Sequence, residues 1–328
     1  MVEVLTLSKQ EISGLLTMKE ALTSVEEAYR AFGEGKAINP LAISFVVPRY
    51  YGEVDIKPAY IETIDCSGMK FAGGYWDNPK NYGLPSVIGI ILLVDGKNGL
   101  PLAIMDGTQV GSYRTSAAGG VGAKYLARKD SENAAVIGTG NQGRMQLMAL
   151  TEVFDIKLVK AYDLDLEGSK RYAEEMGRTY GIEVASAESA RKAVKGADII
   201  VTATPATSPV VQDAWIEPGT NINAIGADMP GKQELDPLIF RRAKAVVDYL
   251  PQCVEIGEIQ HAVARGLLKE ADVVEIGEII AGKKKGRTSE DEITVFDSTG
   301  LGIQDVATAY AVYKLAMKRN VGKIIEFF

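Results

Sequence analysis

Histidine and cysteine are nearly absent from this sequence of 328 residues, which contains one histidine and two cysteines. The two cysteines, Cys66 and Cys253, are too few for a disulfide framework or a zinc site built from cysteines, and we expect both to be buried thiols in a reducing compartment. The single histidine, His261, excludes metal sites that need several histidines. We therefore expect no metal, and we assign proton transfer to lysine, carboxylate or tyrosine side chains.

The sequence also lacks long apolar runs and an excess of positive charge. Its longest apolar stretch, Val87–Val94, has the length of a strand, which argues against a membrane-spanning helix, and the N-terminus has no signal-peptide pattern. A net charge of −7 argues against a nucleic-acid partner. The balance of 46% hydrophobic and 24% charged residues is typical of a globular protein. We expect a cytoplasmic location and, from the length, two domains.

The first third of the chain combines a helix with several short strands. Thr17 and Glu20 have the spacing of a capping box, and apolar residues recur at helical intervals from there to Phe32. Asp95–Gly99 has the composition of a hairpin turn, and antiparallel pairs in series predict a sheet of their own. The glycine-rich stretch Thr108–Ala127 has a helical pattern. The predicted strands are Ile43–Val47, Val54–Ile61, Val87–Val94 and Leu102–Met105.

From Asn133 onward, apolar strands alternate with helices. This rhythm indicates a parallel sheet covered on both faces, the α/β class. The chain ends in a helix near Gly302–Lys318 and a short apolar tail, Ile324–Phe328. We predict a first domain at residues 1–128, joined by the C-terminal segment 302–328, and a second domain at 129–301. The predicted strands are Ala134–Gly138, Leu158–Tyr162, Ile182–Val184, Asp198–Ala203, Asn221–Ile225, Ala245–Tyr249 and Ile293–Phe296, and the predicted helices are Gly143–Val153, Glu167–Tyr180 and Glu188–Val194.

A glycine-rich loop follows the first strand of the second domain and opens a helix. In such a GxGxxG loop the first glycine permits the tight turn, the second lets a pyrophosphate approach the backbone, and the third lets helix and strand pack closely. The next strand ends at Asp163, 20 residues after the last glycine, where an acid hydrogen-bonds the ribose hydroxyls. We therefore predict dinucleotide binding, with NAD(H) favoured over NADP(H) because Asp163 would repel a 2′-phosphate. The loop residues are Gly138, Thr139, Gly140, Asn141, Gln142 and Gly143.

Polar side chains also follow later strands of this domain. In a doubly wound sheet, ligands bind outside the carboxyl ends of the strands. Thr202 and Thr204 stand at such an end and either border the cofactor or simply end the strand. Asp228, in the loop after another strand, either lies in the active site or caps its own loop.

The first domain contributes three cations with apolar or glycine-rich neighbours, Arg49, Lys70 and Arg114. Convergent cations can hold a substrate carboxylate, and arginine supplies bidentate geometry for it. Placement of each on the surface is the alternative. The basic run Lys283–Arg287 is interpreted as a solvated turn without a function.

Segments spread along the whole chain together resemble the ornithine cyclodeaminase/μ-crystallin family, and within it the archaeal-type alanine dehydrogenase branch. The segments around Asp228 and Asp297 are specific, whereas the glycine loop alone is not. The matching segments are Gly68–Phe71, Asn78–Pro79 with Gly83–Ser86, Arg114–Ala118, Gly138–Gly143, Ile225–Leu235 and Phe296–Gly300.

The resemblance implies that the second domain is a Rossmann domain that binds a nicotinamide cofactor, and that the first is an α+β domain with a mostly antiparallel sheet. The first domain, joined by the C-terminal helix, would supply the substrate site and the interface of a homodimer. Asp163 would take the ribose, and Ser298 and Thr299 would lie near the nicotinamide.

The resemblance also implies roles in substrate binding and catalysis. Lys70 and Arg114, with Arg49 as a third, would contact the substrate carboxylate, and Asp228 would face the reacting amine or imine and manage its proton. The implied reaction is reduction of an imino acid, or of a 2-oxo acid plus amine, to an L-amino acid and the reverse oxidation, as in an alanine dehydrogenase or imine reductase. Two alternatives stay open: a cyclodeaminase-type lyase that uses the cofactor catalytically, and a crystallin-like binding protein.

Two departures from the family pattern bear on the substrate. Cyclodeaminases follow the site lysine with a Val-Asn-Gly-His-Pro-like stretch, where this chain has Phe71–Trp76. Asp55 stands three residues before Pro58, where family members carry an acid, and would take a second amine of a diamino substrate. Lys57, on the same strand face, would instead take a second carboxylate. The sequence leaves both possibilities open.

Overall fold

The structure, a computed structural model, describes residues 3–327, so Phe328 of the predicted apolar tail lies outside the described residues, as do the first two. The chain divides into two compact units. Unit 1 runs up to Arg114 and resumes at Leu301, and unit 2 comprises Thr115–Gly300.

The division between the units falls inside a helix, earlier than the boundary that the sequence suggested after residue 128. The later part of that helix is bound to unit 2. Asn223 Nδ2 donates a hydrogen bond to the carbonyl oxygen of Gly119 at 2.8 Å. A Cβ atom on Gly122 would lie 2.3 Å from the Phe296 ring, so the glycine permits this close packing. Small residues thus place the second half of the helix in unit 2.

Unit 1 is built on one sheet with helices. Its strands pair in the order β18-β1-β7-β6-β5-β4-β2. Strand β3 pairs with the first half of β4, and β2 pairs with its end. The neighbours are antiparallel except β1 and β7, which are parallel. The elements are β1 (Glu3–Leu7), α1 (Lys9–Leu15), α2 (Met18–Gly33), β2 (Ala37–Ile38), β3 (Ile43–Val47), β4 (Gly52–Ile61), β5 (Cys66–Tyr75), α3 (Asn78–Tyr82), β6 (Val87–Asp95), β7 (Pro101–Asp106), the first part of α4 (Gly107–Leu126), and from the end of the chain α11 (Gly302–Arg319) and β18 (Lys323–Glu326).

Local sequence signals explain most of these elements. The Thr17 side chain accepts from the Glu20 amide while Glu20 reaches back to the Thr17 amide, which confirms the predicted capping box at the start of α2. The hairpin between β6 and β7 is also confirmed. Strand β5 was not predicted, because its glycines and its lysine interrupt the apolar alternation by which strands are recognised. This strand carries Lys70.

The two faces of the unit 1 sheet differ. Side chains alternate along each strand, and the register places Lys57 opposite Lys70 and Lys70 opposite Ile91 on one face, which we call the inner face. Helix α11 packs against α2 and against β4, β5 and β6 on this face. A Cβ atom on Gly302 would lie 2.4 Å from the Pro58 carbonyl oxygen, so the start of α11 rests directly on β4.

The opposite face, which we call the outer face, is apolar and open. One cross-strand row consists of Ile43, Ile56, Phe71 and Ile90. Of these, Ile43 is 58% exposed, Phe71 42% and Ile90 53%. Contiguous exposed apolar side chains of this size usually mark a binding surface.

Unit 2 contains a fully parallel sheet in the order β10-β9-β8-β11-β13-β17-β15-β16, which confirms the predicted α/β class. The elements that follow α4 are β8 (Asn133–Ile137), α5 (Asn141–Val153), β9 (Leu158–Tyr162), α6 (Leu166–Tyr180), β10 (Glu183–Ser186), α7 (Ala190–Val194), β11 (Ile199–Thr202), β12 (Thr207–Val211), β13 (Asn221–Ala224), β14 (Gln233–Leu235), β15 (Ala243–Val247), α8 (Leu250–Ile256), α9 (Ile259–Ala264), β16 (Val274–Glu275), α10 (Ile276–Ile280) and β17 (Ile293–Asp297).

The strand order reverses between β8 and β11. Chain order runs outward through β9 and β10 on one side of β8, and through β11 and β13 on the other. This is the topology of the Rossmann fold, in which the crevice at the carboxyl ends of the two central strands binds a dinucleotide. Both faces of the sheet are covered. Leu147 of α5 and Tyr172 of α6 are buried in the core on one face, and Ala193 of α7 and Cys253 of α8 in the core on the other.

Candidate active site

A buried ionic cluster lies on the inner face of unit 1 and brings together two of the predicted substrate residues. Lys70 comes from β5 and Arg114 from α4, and both meet Asp305 in the first turn of α11. The Lys70 Nζ atom lies 3.1 Å from each carboxylate oxygen of Asp305, and the Arg114 Nε atom lies 2.8 Å from Oδ1. We call Lys70, Arg114 and Asp305 the clamp. Convergence of Lys70 and Arg114 is what binding of a substrate carboxylate requires.

The electrostatics of the clamp are dominated by burial and by excess positive charge. Burial first, and then the Arg114 and Lys57 charges, lower the pKa of Lys70 to about 7, against the opposing effect of Asp305. Although burial alone would raise the pKa of Asp305, Arg114, Lys70 and Lys57 hold that pKa below its usual range. The clamp therefore combines a carboxylate whose pKa is held low by its cationic neighbours with a lysine whose pKa is lowered toward neutrality by burial.

Gln304, like Asp305, is a residue of the site that the sequence did not predict. Its Oε1 accepts from Arg114 Nη1 at 3.0 Å, and its Nε2 donates to the Tyr29 hydroxyl of α2. Both Gln304 and Asp305 are fully buried. Two adjacent polar residues inside the apolar first turns of α11 are the sequence signal that could have identified them, because such residues are seldom buried without partners.

Arg49, the third predicted cation, is not brought to the clamp. It is exposed in a 3-10 turn, Pro48–Tyr50, with its guanidinium 5.4 Å from the centre of the Tyr50 ring. It lines a cavity of about 710 Å³ whose other residues include Phe71 and Ile88, side chains of the outer face. Of the three predicted cations, the structure therefore brings Lys70 and Arg114 together and leaves Arg49 apart. The sequence could not separate the faces, since β5 itself was not predicted.

Asp55 and Lys57 both lie on the inner-face side of β4, as their spacing predicted. Lys57 is 8% exposed and contributes to the field on the clamp. Asp55 is half-buried, and its carboxylate accepts a hydrogen bond from the Ser44 hydroxyl of β3. The two side chains thus offer opposite charges on the inner face.

In unit 2 the glycine loop has the backbone geometry of a dinucleotide site. Gly138 has a φ of +97°, and a Cβ atom there would lie 2.5 Å from the Ala203 carbonyl oxygen at the end of β11. A Cβ atom on Gly143 would lie 2.1 Å from the Gly138 carbonyl oxygen. Gly140 instead has open space in front of it. Two glycines thus serve packing and one leaves room for a ligand, so the loop fits a dinucleotide.

The amino end of α5 and the end of β9 complete this site. Helix α5 begins after Gly140 without a side-chain cap, so its N-terminus suits an anion. Asp163 Oδ2 accepts from the amide of Thr139 at 2.7 Å and from its hydroxyl at 3.0 Å. Asp163 is therefore held against Thr139 of the glycine loop. The sequence predicts that this carboxylate binds the ribose. Arg144 donates to the carbonyl oxygens of Thr139 and Gly140 and restrains the loop from α5.

Thr202 and Thr204 are bound by a buried acid that sequence reasoning missed. Glu234 accepts from the Thr202 hydroxyl at 2.7 Å, from the Thr204 amide and hydroxyl at 2.6 and 2.7 Å, and from the Gly226 amide at 2.8 Å. Burial raises the pKa of Glu234, and these hydrogen bonds oppose that rise. Glu234 thus ties the end of β11 to the loop after β13, and the two hydroxyls point to protein.

Asp228 lies in this loop, after β13, and is half exposed. Its carboxylate is paired with the ammonium of Lys232. The loop is attached to α9, where Gln260 Oε1 accepts from the Gly231 amide at 2.9 Å. His261 Nε2 lies 2.9 Å from the Lys232 carbonyl oxygen and donates to it. The only histidine of the sequence therefore supports the Asp228 loop.

Ser298 and Thr299, which follow β17, are also held by a buried acid. Asp248 accepts from the Ser298 and Thr299 hydroxyls at 3.1 and 3.0 Å and from the Gly300 amide at 2.8 Å. The neighbouring Asp297 is fully buried, and burial raises its pKa to about 8. The hydroxyls are thus fixed at the carboxyl end of β17, the edge at which a Rossmann domain binds its ligand.

In the part of the chain from residue 3 to residue 327, no three His, Cys, Asp or Glu side chains are grouped to hold a metal ion. Within the same residues no helix is both long and apolar enough to cross a membrane. Both cysteines are free and buried, as expected.

Comparison with known proteins gives matches along the whole chain. The family model of the ornithine cyclodeaminase/mu-crystallin family matches residues 2–320. The alanine dehydrogenase of Archaeoglobus fulgidus is 46% identical over 330 residues, which cover 99% of each chain.

Solved structures show the same fold. An archaeal alanine dehydrogenase dimer with bound NAD is 45% identical, with a TM-score of 0.95 and full coverage of both chains. The Δ1-pyrroline-2-carboxylate reductase of Thermococcus litoralis, in complex with NADH and L-proline, is 41% identical, with a TM-score of 0.94 over 98% of this chain and 99% of that one. With matches of this length and identity, the chain belongs to the ornithine cyclodeaminase/mu-crystallin family.

Proposed function

We propose that this protein is an NAD(H)-dependent oxidoreductase that reduces an imino acid, or a 2-oxo acid plus an amine, to an L-amino acid and catalyses the reverse oxidation. The observation that carries this proposal is the buried clamp, in which Lys70 and Arg114 converge in a chain that also has a dinucleotide-type glycine loop. The similar alanine dehydrogenase and pyrroline-2-carboxylate reductase have in common substrates with a carboxylate and a nitrogen on one carbon.

The clamp binds and orients the substrate. The Arg114 guanidinium and the Lys70 ammonium are buried, so water does not compete strongly for their hydrogen bonds to a carboxylate. Anchoring the carboxylate fixes the neighbouring carbon, which is the carbon that changes oxidation state. Such orientation can supply a large part of the rate acceleration of a two-substrate reaction.

Asp228 manages the proton on the substrate nitrogen. In the reduction, its ionised carboxylate stabilises the positive charge of the iminium, and in the oxidation it accepts a proton from the amino group. Its exposure allows that proton to pass to solvent. The bound nicotinamide cofactor supplies or takes the hydride.

Asp163 and its neighbours favour NAD(H) over NADP(H). Asp163 stands at the glycine loop, and Asp165 caps the start of α6 two residues later. Between them, Leu164 is 91% exposed, and its apolar side chain offers no positive charge that could bind a phosphate. Two carboxylates at this place repel a 2′-phosphate, whereas ribose hydroxyls can donate to Asp163.

We also propose a homodimer formed through the outer face of unit 1. The exposed row of Ile43, Phe71 and Ile90 supports this assignment, as does the dimer of the similar archaeal dehydrogenase. Ile90→Glu would place a charge in this row, and sedimentation should then detect monomer. The cytoplasmic location and the absence of a nucleic-acid partner stay predictions from composition.

The test of function is absorbance of reduced nicotinamide in a panel of reactions. Purified protein and NADH are mixed with 2-oxo acids plus ammonia or methylamine, and separately with cyclic imino acids. Consumption of NADH with one member establishes the reductase and names its substrate class. Ammonia release from ornithine or lysine without net NADH consumption would assign the lyase instead. Asp228→Asn should keep NADH affinity and lose turnover, whereas a binding protein would have no turnover to lose.

A further inference from the structure

We propose that Asp305 is the positioning residue of the clamp: its carboxylate holds the Lys70 ammonium and the Arg114 guanidinium side by side, in the arrangement that receives one substrate carboxylate. This inference rests on the proposed function. It assigns a role to a residue of α11 that no sequence motif singled out.

Lys70 and Arg114 share the carboxylate of Asp305. Lys70 Nζ lies at 3.1 Å from both oxygens of Asp305, and Arg114 Nε shares Oδ1 at 2.8 Å. The two cations repel one another and come from different elements, β5 and α4. Because they meet on one oxygen, the separation of their charged groups is set by Asp305.

The first turn of α11, which carries Asp305, is held by contacts with Asn39 and Pro58. The Ile303 amide donates to the Asn39 side chain at 3.1 Å, and Gly302 rests on the backbone of Pro58. These contacts fix the first turn of α11, and an acid in the first turn of a helix is favoured by the helix dipole. Asp305 therefore stands on a turn that is held at Gly302 and at Ile303, as a positioning group requires.

The clamp holds two cations and one carboxylate. Lys70 and Arg114 are each less than a tenth exposed, and Asp305 is fully buried. A buried ion pair by itself contributes little to stability, and an uncompensated buried cation is costly. The clamp therefore has more positive than negative charge. A ligand carboxylate would compensate the second cation.

Asp305 also affects the charge on Lys70. The charged groups that face Lys70 come from β4 (Lys57), α4 (Arg114) and α11 (Asp305), and of these Asp305 is the one that raises its pKa. Removing the Asp305 charge should let Lys70 lose its proton at lower pH. A neutral Lys70 cannot hold a carboxylate by charge. Substrate affinity should therefore begin to fall at a lower pH than in wild type.

The experiment compares wild type with Asp305→Asn, which keeps the shape and removes the charge. In the variant we expect the substrate KM at neutral pH to rise about tenfold or more, the scale of a lost charged hydrogen bond, with kcat changed less and NADH affinity unchanged. The rise of KM with pH should begin at lower pH than in wild type. Glu62→Gln, which removes an exposed acid of unit 1, is the control and should match wild type.

Two outcomes separate this inference from the proposed function. If wild type turns over no imino or amino acid, the proposed function fails and Asp305 has no clamp to position. If wild type is active and Asp305→Asn has the same KM and the same pH dependence of KM, the inference is overturned. Should Asp305→Asn fail to fold, Asp305→Glu keeps the charge and shifts it by one methylene. A raised KM with unchanged pH dependence would then support the role, and an unchanged KM would overturn it.

Discussion

The ammonium of Lys232 is paired with the carboxylate of Asp228, four residues earlier in the same loop. The lysine is the less exposed partner, at 20% against 47% for the aspartate. The pair is held from α9 by Gln260 and His261. Lys232 therefore fixes the orientation of the proposed proton-handling group and keeps a positive charge beside it.

Lys232→Met should lower kcat about tenfold, the scale of a charged hydrogen bond, with NADH affinity unchanged. Lys232→Arg should restore most of the loss, because arginine keeps the charge. Lys192→Met is the matched control, since Lys192 and Glu188 form an exposed pair at the same spacing. Steady-state kinetics of the three variants check this prediction. Equal kcat in Lys232→Met and wild type would exclude a role for the pair.

The pKa of Lys70 predicts how carboxylate binding depends on pH. Burial, Arg114 and Lys57 lower that pKa to about 7, so the free protein carries the ammonium below about pH 7 and loses it above. Affinity for a carboxylate should therefore be highest below pH 7 and fall as pH rises. Inhibition by propionate measures this affinity from about pH 6 to about pH 9, a range over which propionate stays ionised. Lys70→Arg should remove the pH step, because its guanidinium stays charged.

Two glycines of the nucleotide loop, Gly140 and Gly143, predict different mutational effects. Gly140 has an ordinary φ of −70° and open space in front of it, so Gly140→Ala should leave the thermal unfolding temperature unchanged and weaken NADH binding. Gly143→Ala forces a Cβ to within 2.1 Å of the Gly138 carbonyl oxygen and should lower the unfolding temperature. Calorimetry measures the unfolding temperature of both variants, and NADH fluorescence measures their affinity for the cofactor. Unchanged NADH affinity in Gly140→Ala would place the cofactor elsewhere.

These predictions also show how far the sequence alone could go. The glycine loop and Asp163 lie within one short strand, helix and strand unit, so spacing along the chain is enough to place them together. Thr17 and the hairpin after β6 are local in the same sense. For such features the sequence predicts both structure and site.

The clamp could not be predicted in the same way. Lys70 and Asp305 are 235 residues apart, and their contact depends on the register of β5 and on the packing of α11. Arg49 shares charge and apolar neighbours with Lys70, but it lies in the exposed turn between β3 and β4, whereas Lys70 lies on the inner face of β5. Glu234 and Asp248 were missed for a related reason, because an acid bound by backbone amides and hydroxyls looks like any surface acid until the fold buries it.

Asp163 should control the choice between NADH and NADPH. Asp163→Ser removes the charge that repels a 2′-phosphate and the acceptor for the ribose, so NADH affinity should fall about tenfold or more while NADPH affinity falls less or rises. Asp155→Ser, which removes an exposed acid nearby in sequence, is the control. Fluorescence titration of both nucleotides measures the ratio. A ratio equal to that of wild type would contradict the assignment of Asp163.

The central claim is that hydride passes between the nicotinamide and the carbon that bears the substrate nitrogen. The direct measurement is a reaction with NADH deuterated at C4, in each of its two epimers, and the substrate found by absorbance. The account predicts that one epimer transfers deuterium to the α-carbon of the amino acid product, detected by mass spectrometry. Product formed without deuterium from either epimer would contradict it.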